Sequence, residues 1–333
     1  MLQGRQTWIF NNNPVILSSA AVGGPFEGQG NIKNDFDKIY DDIWLGQESF
    51  EKAERKMVED ACDLAIKKAN LKKDDINFFI CGDLLNQIIS SSFSARTLSV
   101  PFLGVFGACS SSMESLAIAS MLIESNHAKY VLAGASSHNA GAEKQYRYPT
   151  EYGGQKPPTA QWTVTGAGIG LVSYMGEGPK VTSATIGKVI DMGLTDPFNM
   201  GAAMAPAAVD TIETHFKETE RPLDYYDLIL TGDLGNVGYN IALDLFKKDN
   251  FNIPIERYND CGLIIYKQDQ NVFSGGSGCG CSATVTYGHL INRLKRGEIK
   301  KILVTATGAL MSPMSYQQKE TIPCIAHAVS IEM

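Results

Sequence analysis

The chain repeats itself at long range. A shift of 172 residues, which carries Cys109 onto Cys281, lays "CSSSMESLAIASMLIESNHAKYVLAGAS" on "CSATVTYGHLINRLKRGEIKKILVTATG" without a gap. Cys-Ser falls on Cys-Ser, Lys129 on Lys301, and the apolar run "YVLAGAS" on "ILVTATG". A second echo sets "CGDLLNQ" (81–87) against "TGDLGNV" (231–237), each at the end of an apolar run and each ahead of the Cys-Ser turn of its own half. Two echoes in the same order point to duplication. The chain then divides near residue 176 into halves 1–175 and 176–333, each one α/β unit.

Hydrophobic spacing agrees with alternating strands and helices. "INFFICG" (76–82), "VPFLGVFG" (100–107), "YVLAGAS" (130–136), "DLILTG" (227–232), "KILVTATG" (301–308) and "IPCIAHAVSIE" (322–332) are short apolar runs of strand length. Residues 48–71 place Phe50, Met57, Ala61, Leu64, Ala65 and Ala69 at helical spacing. Further helices are predicted from Cys109 onward, over 203–216, over part of 238–248 and over 283–297. "GAGIGLVSYM" (166–175) and "KVTSATIGKVI" (180–190) read as strands paired with each other at mid-chain.

A chain of 333 residues, 44% hydrophobic, has enough apolar material for one large core or two moderate ones. Its formal net charge of −7, with no basic run, argues against nucleic acid and against charge-driven adsorption to anionic lipid. Seven cysteines, an odd number scattered through apolar segments, do not form a disulfide framework and suggest a reducing compartment. Cys279 and Cys281 lack the second pair or nearby histidines that a structural zinc needs. The N-terminal stretch has no secretory pattern, and no window approaches the roughly 18 apolar residues of a membrane span, so a soluble protein is expected.

The duplicated α/β pattern, with a cysteine at the turn into a helix, resembles the thiolase-like fold over nearly the whole chain. "FGACSSSMESLAIASMLI" is similar to the nucleophile turn of thiolases and ketoacyl synthases, and "GGSGCGCSAT" (275–284) to the thiolase G-H-P-x-G-x-S-G element. "VTATGAL" (304–310) stands where that superfamily has C-x-G, and "TGDLGNV" where condensing enzymes carry His or Asn. The expected architecture is two pseudo-duplicated βαβαβ halves in an αβαβα layered structure. Closer still, "CGDLLNQ", "FGACSSSMES", "SSHNAGAEKQYRYPTEYGGQKP", "NDCGLIIY", "GGSGCGCSA" and "QQKETIPCIAH" resemble the stage V sporulation protein AD family of endospore formers. That resemblance implies a protein that binds dipicolinic acid, free or as its calcium chelate, and helps to load it into the developing spore. It implies no resident cofactor beyond calcium carried with the ligand. It also implies a homodimer attached peripherally to the spore inner membrane, alongside the membrane proteins of the stage V sporulation A operon.

Thiolase chemistry needs a base for the thiol and groups for the carbanion and oxyanion. At the three partner positions this chain has Ser277 for His, Ala306 for the second Cys, and Asp233 for His or Asn. Of its five histidines, only His138, at a strand end in "SSHNAG", is expected near the cleft, with a structural role equally open. The Cys109 turn is therefore read as the floor of a pocket. Cys109 and Ser110 offer helix-start N–H groups to an anion, and Gly280 and Cys281 offer a second set from the other half. The alternative is that both turns only allow tight helix–sheet packing. The polar, aromatic stretch 139–162 reads as a long loop in which Arg147 and Lys156 pair with ligand carboxylates. Lys144, Tyr146, Tyr148, Tyr152 and Trp162 accompany them, and a dimer-interface or surface loop is the alternative. Asp83 and Asp233, followed by Asn86 and Asn236, end equivalent strands, where they would bind calcium carried by the ligand or cap the next helix. The leading expectation is a non-catalytic binder. A thiolase or acyltransferase using Cys109, and a purely structural subunit of a membrane channel complex, are the alternatives.

Overall fold

The computed structural model describes residues 1–148 and 154–333. The first half runs β1 (Val15–Gly23), α1 (Phe50–Lys68), β2 (Phe78–Gly82), α2 (Ile89–Leu98), β3 (Phe102–Gly104), α3 (Ser111–Glu124), β4 (Tyr130–Ser137), α4 (Asn139–Arg147) and β5 (Gly166–Ser173). The second half continues with β6 (Lys180–Ile186), α5 (Met200–Thr219), β7 (Leu228–Thr231), α6 (Gly235–Lys248), β8 (Tyr258–Asp260) and α7 (Cys261–Ile265). Then come α8 (Cys279–Thr284), a π-helical stretch Val285–Leu290, α9 (Ile291–Lys295), β9 (Lys301–Ala309), α10 (Pro313–Gln317) and β10 (Cys324–Glu332).

Strand order across the main sheet is β8-β7-β9-β10-β6-β1-β5-β4-β2-β3. Read outward from the centre, each half places its first strand, then its fifth, fourth, second and third, so one topology occurs twice. Pair directions repeat too. β2 runs parallel to β3 and β4 as β7 does to β8 and β9, and β5 lies antiparallel to β1 and β4 as β10 does to β6 and β9.

The expected mid-chain pairing of 166–175 with 180–190 does not occur. Both segments are strands, but β5 pairs with β1 and β4, and β6 with β10, with a short N-terminal strand and, at one position, with β1. The duplicated order requires this, because β1 must lie between the last strand of one half and the first strand of the next.

Alternation along the strands sorts the core into layers. Phe79 and Leu132 pack with α1 and α2 on one outer face; Leu303, Ala326 and Ala328 pack with α5 and α6 on the other. Ile80, Val131, Ala133, Ile302 and Val304 face the middle layer, against Met113 and Leu116 of α3. Each of the Val, Leu, Ile, Phe and Met side chains among them stabilises the fold by about 1.5–3 kcal/mol. α1 shows how its sequence specifies an outer helix. The Ser49 hydroxyl accepts from the Lys52 N–H at 3.2 Å, Ala53, Met57, Ala61 and Ala65 form the buried stripe, and Lys67 and Lys68 sit in the last turn.

α3 is buried on almost every side, which its serines permit. Ser115 and Ser120 turn their hydroxyls onto the Ser112 and Leu116 carbonyls, so that no polar group is stranded. The Ser112 and Ser282 hydroxyls meet at 2.6 Å, which joins α3 to α8 inside the middle layer. The turn before α3 rests on β9 at Gly308, where a Cβ would stand 2.1 Å from the Gly107 carbonyl oxygen.

Candidate functional site

The C-terminal ends of β2, β4, β7 and β9 and the starts of α3 and α8 converge on one cleft, as expected for ligand sites of α/β sheets. A cavity of about 380 Å³ opens there, with Cys109, Ala108, Ser277 and Ala309 at its floor. One wall is α4, which presents Glu143, Tyr146 and Arg147; Lys156, Gln161 and Thr163 follow from the next segment. Pro197, Phe198, Met200, Met311, Pro313 and Tyr316 also line the cavity.

α4 corrects an expectation, since the first nine residues of the expected long loop are helical. His138 is the reason. Its Nδ1 accepts from the Gly141 N–H at 3.2 Å as the helix N-cap, while its Nε2 donates to the Ile43 carbonyl at 2.8 Å and its ring stacks on Phe50. Both nitrogens are engaged, and burial holds the imidazole below its usual pKa. His138 is therefore a structural cap that does not line the cavity; nor do the other four histidines. The far end of α4 is tied down by Tyr146 Oη and Gln145 Nε2, both donating to the Leu84 carbonyl, at 2.7 and 2.9 Å. Lys144 points away, to Glu51. Tyr152 lies outside the described residues.

Arg147 and Lys156, expected as carboxylate partners, do line the cavity together. Arg147 Nη1 donates to Glu143 Oε2 at 2.6 Å, and Lys156 Nζ lies 2.5 Å from Glu143 Oε1. Both cationic side chains are only 10% exposed. The guanidinium lies 5.4 Å from the centre of the Phe198 ring, and the Lys156 ammonium 5.5 Å from that of Trp162. Glu143, which joins the two cations, was not among the residues expected at the site. Its signal was the Glu143–Arg147 spacing of four residues, legible only once 139–147 is known to be a helix.

At the floor, Asp233 is buried below Cys109. Its Oδ1 accepts from Thr307 Oγ1 at 2.6 Å, and its Oδ2 from Ser277 Oγ and the Gly278 N–H at 2.9 and 3.0 Å. Burial, the adjacent Asp233 charge and a hydrogen bond to that carboxylate push the Cys109 thiol well above its ordinary pKa. A helix start lowers a thiol pKa, and here it is outweighed. Ala306, expected at the position of the thiolase second cysteine, is in the core and pairs across the sheet with His327, whose Nδ1 accepts from the Gly187 N–H.

Several expected site residues lie elsewhere. Ser110 turns its hydroxyl onto the Gly107 carbonyl at 2.6 Å. The Gly280 N–H donates to Ser137 Oγ at 3.0 Å, and the Cys281 N–H to the Gly278 carbonyl. Cys281 packs in the middle-layer core, and its thiol faces the Gly232 carbonyl at 3.4 Å. The second set of N–H groups expected for an anion is thus already used inside the protein. The second helix begins at Cys279, two residues ahead of the Cys281 that the repeat sets against Cys109, and Cys279, weighed in the sequence only as a zinc ligand, packs with Cys109. Asp83 accepts from the Leu85 N–H and from the Ser91 N–H and hydroxyl at 2.7–2.9 Å, which fixes the start of α2 and leaves the cavity untouched. Asn86 and Asn236 are exposed outside the main cavity.

The profile of the family described as stage V sporulation protein AD matches residues 4–332. A stage V sporulation protein AD of Bacillus subtilis (strain 168) is 53% identical over 331 residues, 99% of this chain and 98% of that protein. Among solved structures, 3-oxoacyl-[acyl-carrier-protein] synthase III from Aquifex aeolicus VF5 superposes with a TM-score of 0.60 at 16% identity, covering 96% of this chain and 100% of that one. Human mitochondrial 3-ketoacyl-CoA thiolase in complex with CoA gives 0.61 at 13% identity, over 96% and 98% of the two chains. A single-residue variant of OleA from Xanthomonas campestris gives 0.63 at 13%, over 97% and 99%. At such identities these structures establish the thiolase-like fold.

Proposed function

Because the chain belongs to the stage V sporulation protein AD family, we propose that its cleft is a non-catalytic binding site for dipicolinic acid or its calcium chelate, serving the loading of that acid into the developing spore. The observation that carries this reading is the pair Arg147 and Lys156. Two cations, each nine-tenths buried, share the single carboxylate of Glu143 beside a cavity whose volume suits a small molecule. Among the described residues, this wall of the cleft therefore sets two cations against one carboxylate, which supports an anion as the ligand. Tyr146 and Phe198 supply faces for a planar ring.

The floor supports binding over catalysis. The thiol of Cys109 is held protonated beside a carboxylate, and among the described residues no histidine lines the cavity to act as its base. Asp83 and Asp233 spend their oxygens on internal donors, so a calcium ion arriving with the ligand would be met from the Glu143 wall. No helix among the described residues is long and apolar enough to cross a membrane, and attachment to the spore inner membrane would run through the A-operon membrane proteins. A homodimer is supported by β3, a sheet-edge strand that exposes Leu103 beside Phe106.

Isothermal calorimetry of the purified protein with dipicolinate, with and without calcium chloride, is expected to show saturable binding that Arg147→Ala weakens about tenfold or more. No binding of either form to folded protein would overturn the reading. A Cys109-dependent acyl adduct that forms from acyl-CoA and turns over would replace it with an acyltransferase.

A further inference from the structure

The wall that carries Arg147 hangs on one imidazole outside the cavity. α4 has nine residues, and isolated helices shorter than about 12–15 residues are marginal in water, so its place depends on what holds its ends. Tyr146 and Gln145 fix the far end on the Leu84 carbonyl. At the near end the Asn139 N–H donates to Thr165 Oγ1 at 3.0 Å, which anchors the entry, and the buried Gly141 N–H goes to His138 Nδ1. His138 Nε2 meanwhile donates to the Ile43 carbonyl, so one ring joins α4 to the segment ahead of α1. An acceptor at Nδ1 and a donor at Nε2 require the neutral tautomer with its proton on Nε2. On a protonated ring Nδ1 becomes a donor facing the Gly141 N–H, and the cap is lost.

Resting on the binding reading above, we propose that His138 is a positioning residue of the cleft, and that only its neutral ring holds α4 where Arg147 and Lys156 meet an anionic ligand, so that acidification weakens binding. The coupling is short. Glu143 lies on the capped helix and bonds both cations, so a shift of α4 displaces Arg147, Lys156 and Tyr146 together. Of the charged groups around the ring, Glu51 in the first turn of α1 is paired with Lys144 of α4. Glu54, one turn on, takes the Ser136 hydroxyl, and Asp83 at the end of β2 is spent on the start of α2. Asp41 and Asp42, beside Ile43, are exposed. Burial favours the neutral ring, while the Ile43 carbonyl and the Glu51 carboxylate favour the charged one. Burial prevails, so the ring is neutral at pH 7 and takes up its proton below the ordinary 6.5 of histidine. The usual N-cap residues, Ser, Thr, Asp and Asn, would satisfy the same N–H without titrating near neutrality.

Calorimetry with sodium dipicolinate on the full chain, from about pH 4.5 to 8 at constant ionic strength, tests this against His138→Asn, which keeps a capping oxygen but takes up no proton. The ligand's own titration is common to both proteins and cancels in the ratio of their dissociation constants. That ratio, wild type over variant, is expected to be flat above pH 6.5 and to climb below it toward a limiting slope of about tenfold per pH unit. At about pH 7.5 His138→Ala, which has no cap, is expected to bind about fivefold more weakly than the wild type. Thermal unfolding at each pH shows which proteins remain folded. A ratio that does not change with pH overturns the acid sensitivity, and wild-type affinity in folded His138→Ala overturns the positioning role; in either case the binding reading stands. If the folded wild type binds dipicolinate at no pH, the binding reading fails, and this inference with it.

Discussion

Cys109 and Asp233 set the character of the turn into α3 at the scale of single residues. The thiol stands at a helix start, yet burial and the neighbouring carboxylate both favour its protonated form. Asp233→Asn removes the charge and keeps an amide oxygen for Thr307. Its expected effect is a lower pH midpoint for alkylation of Cys109, with the rate at a fixed pH below that midpoint rising about tenfold for every whole pH step by which the midpoint falls. Site-resolved mass spectrometry of iodoacetamide labelling across pH 7–10 measures it. A rise in rate with no movement of the midpoint would mean that the variant only opened the site. An ordinary midpoint in the wild type would mean that Asp233 does not restrain the thiol.

Secondary-structure elements show where the duplication has held and where it has drifted. Asp83 ends β2 and fixes the start of α2, whereas its counterpart Asp233 turns to the cleft floor, and the start of α6 is held by Asp260 from the neighbouring strand. Asp260 accepts from the N–H groups of Leu234, Gly235 and Gly262 and from the Thr231 hydroxyl, at 2.7–3.0 Å. Asp260→Ala strands four buried donors and is expected to cost on the order of 3–5 kcal/mol, more than Asp83→Ala, in urea unfolding. Equal losses would mean that the division of labour between the two halves has been misread. The sequence carried the repeat, most strand and helix positions and the Cys109 floor, because apolar periodicity and the Cys-Ser echo are local. It did not carry the separation of β5 from β6, which depends on β1 lying between them, nor the register of the second helix start. α4 was hidden because its cap is a histidine, a residue without the usual N-cap signature, and Glu143 was hidden with it.

For the molecule as a whole, buried titratable groups pull stability in opposite directions with pH. His215, bonded to Thr185 and Tyr226, is held at a pKa of about 3, and His327, by burial, at about 4, against an ordinary 6.5. Below pH 6.5 the unfolded chain takes up protons at these positions and the folded protein does not, so their contribution to stability is full above 6.5 and is lost on acidification. Asp260, raised to about 7, has the opposite sign. The folded protein retains its proton while the unfolded chain has released it from about pH 3.8 upward, so stability falls as pH rises toward 7. Between pH 4 and 6.5 the two effects oppose each other, which flattens the wild-type profile. His327→Gln removes one titrating group without altering the other two. The difference in unfolding free energy between variant and wild type is then expected to change by about 1.4 kcal/mol per pH unit across that window, always in the direction of less acid sensitivity for the variant. Urea titrations from about pH 4 to 8 measure it. Parallel stability curves for the two proteins would show that His327 titrates in the folded state as it does in the unfolded chain, and that burial on β10 does not hold it neutral.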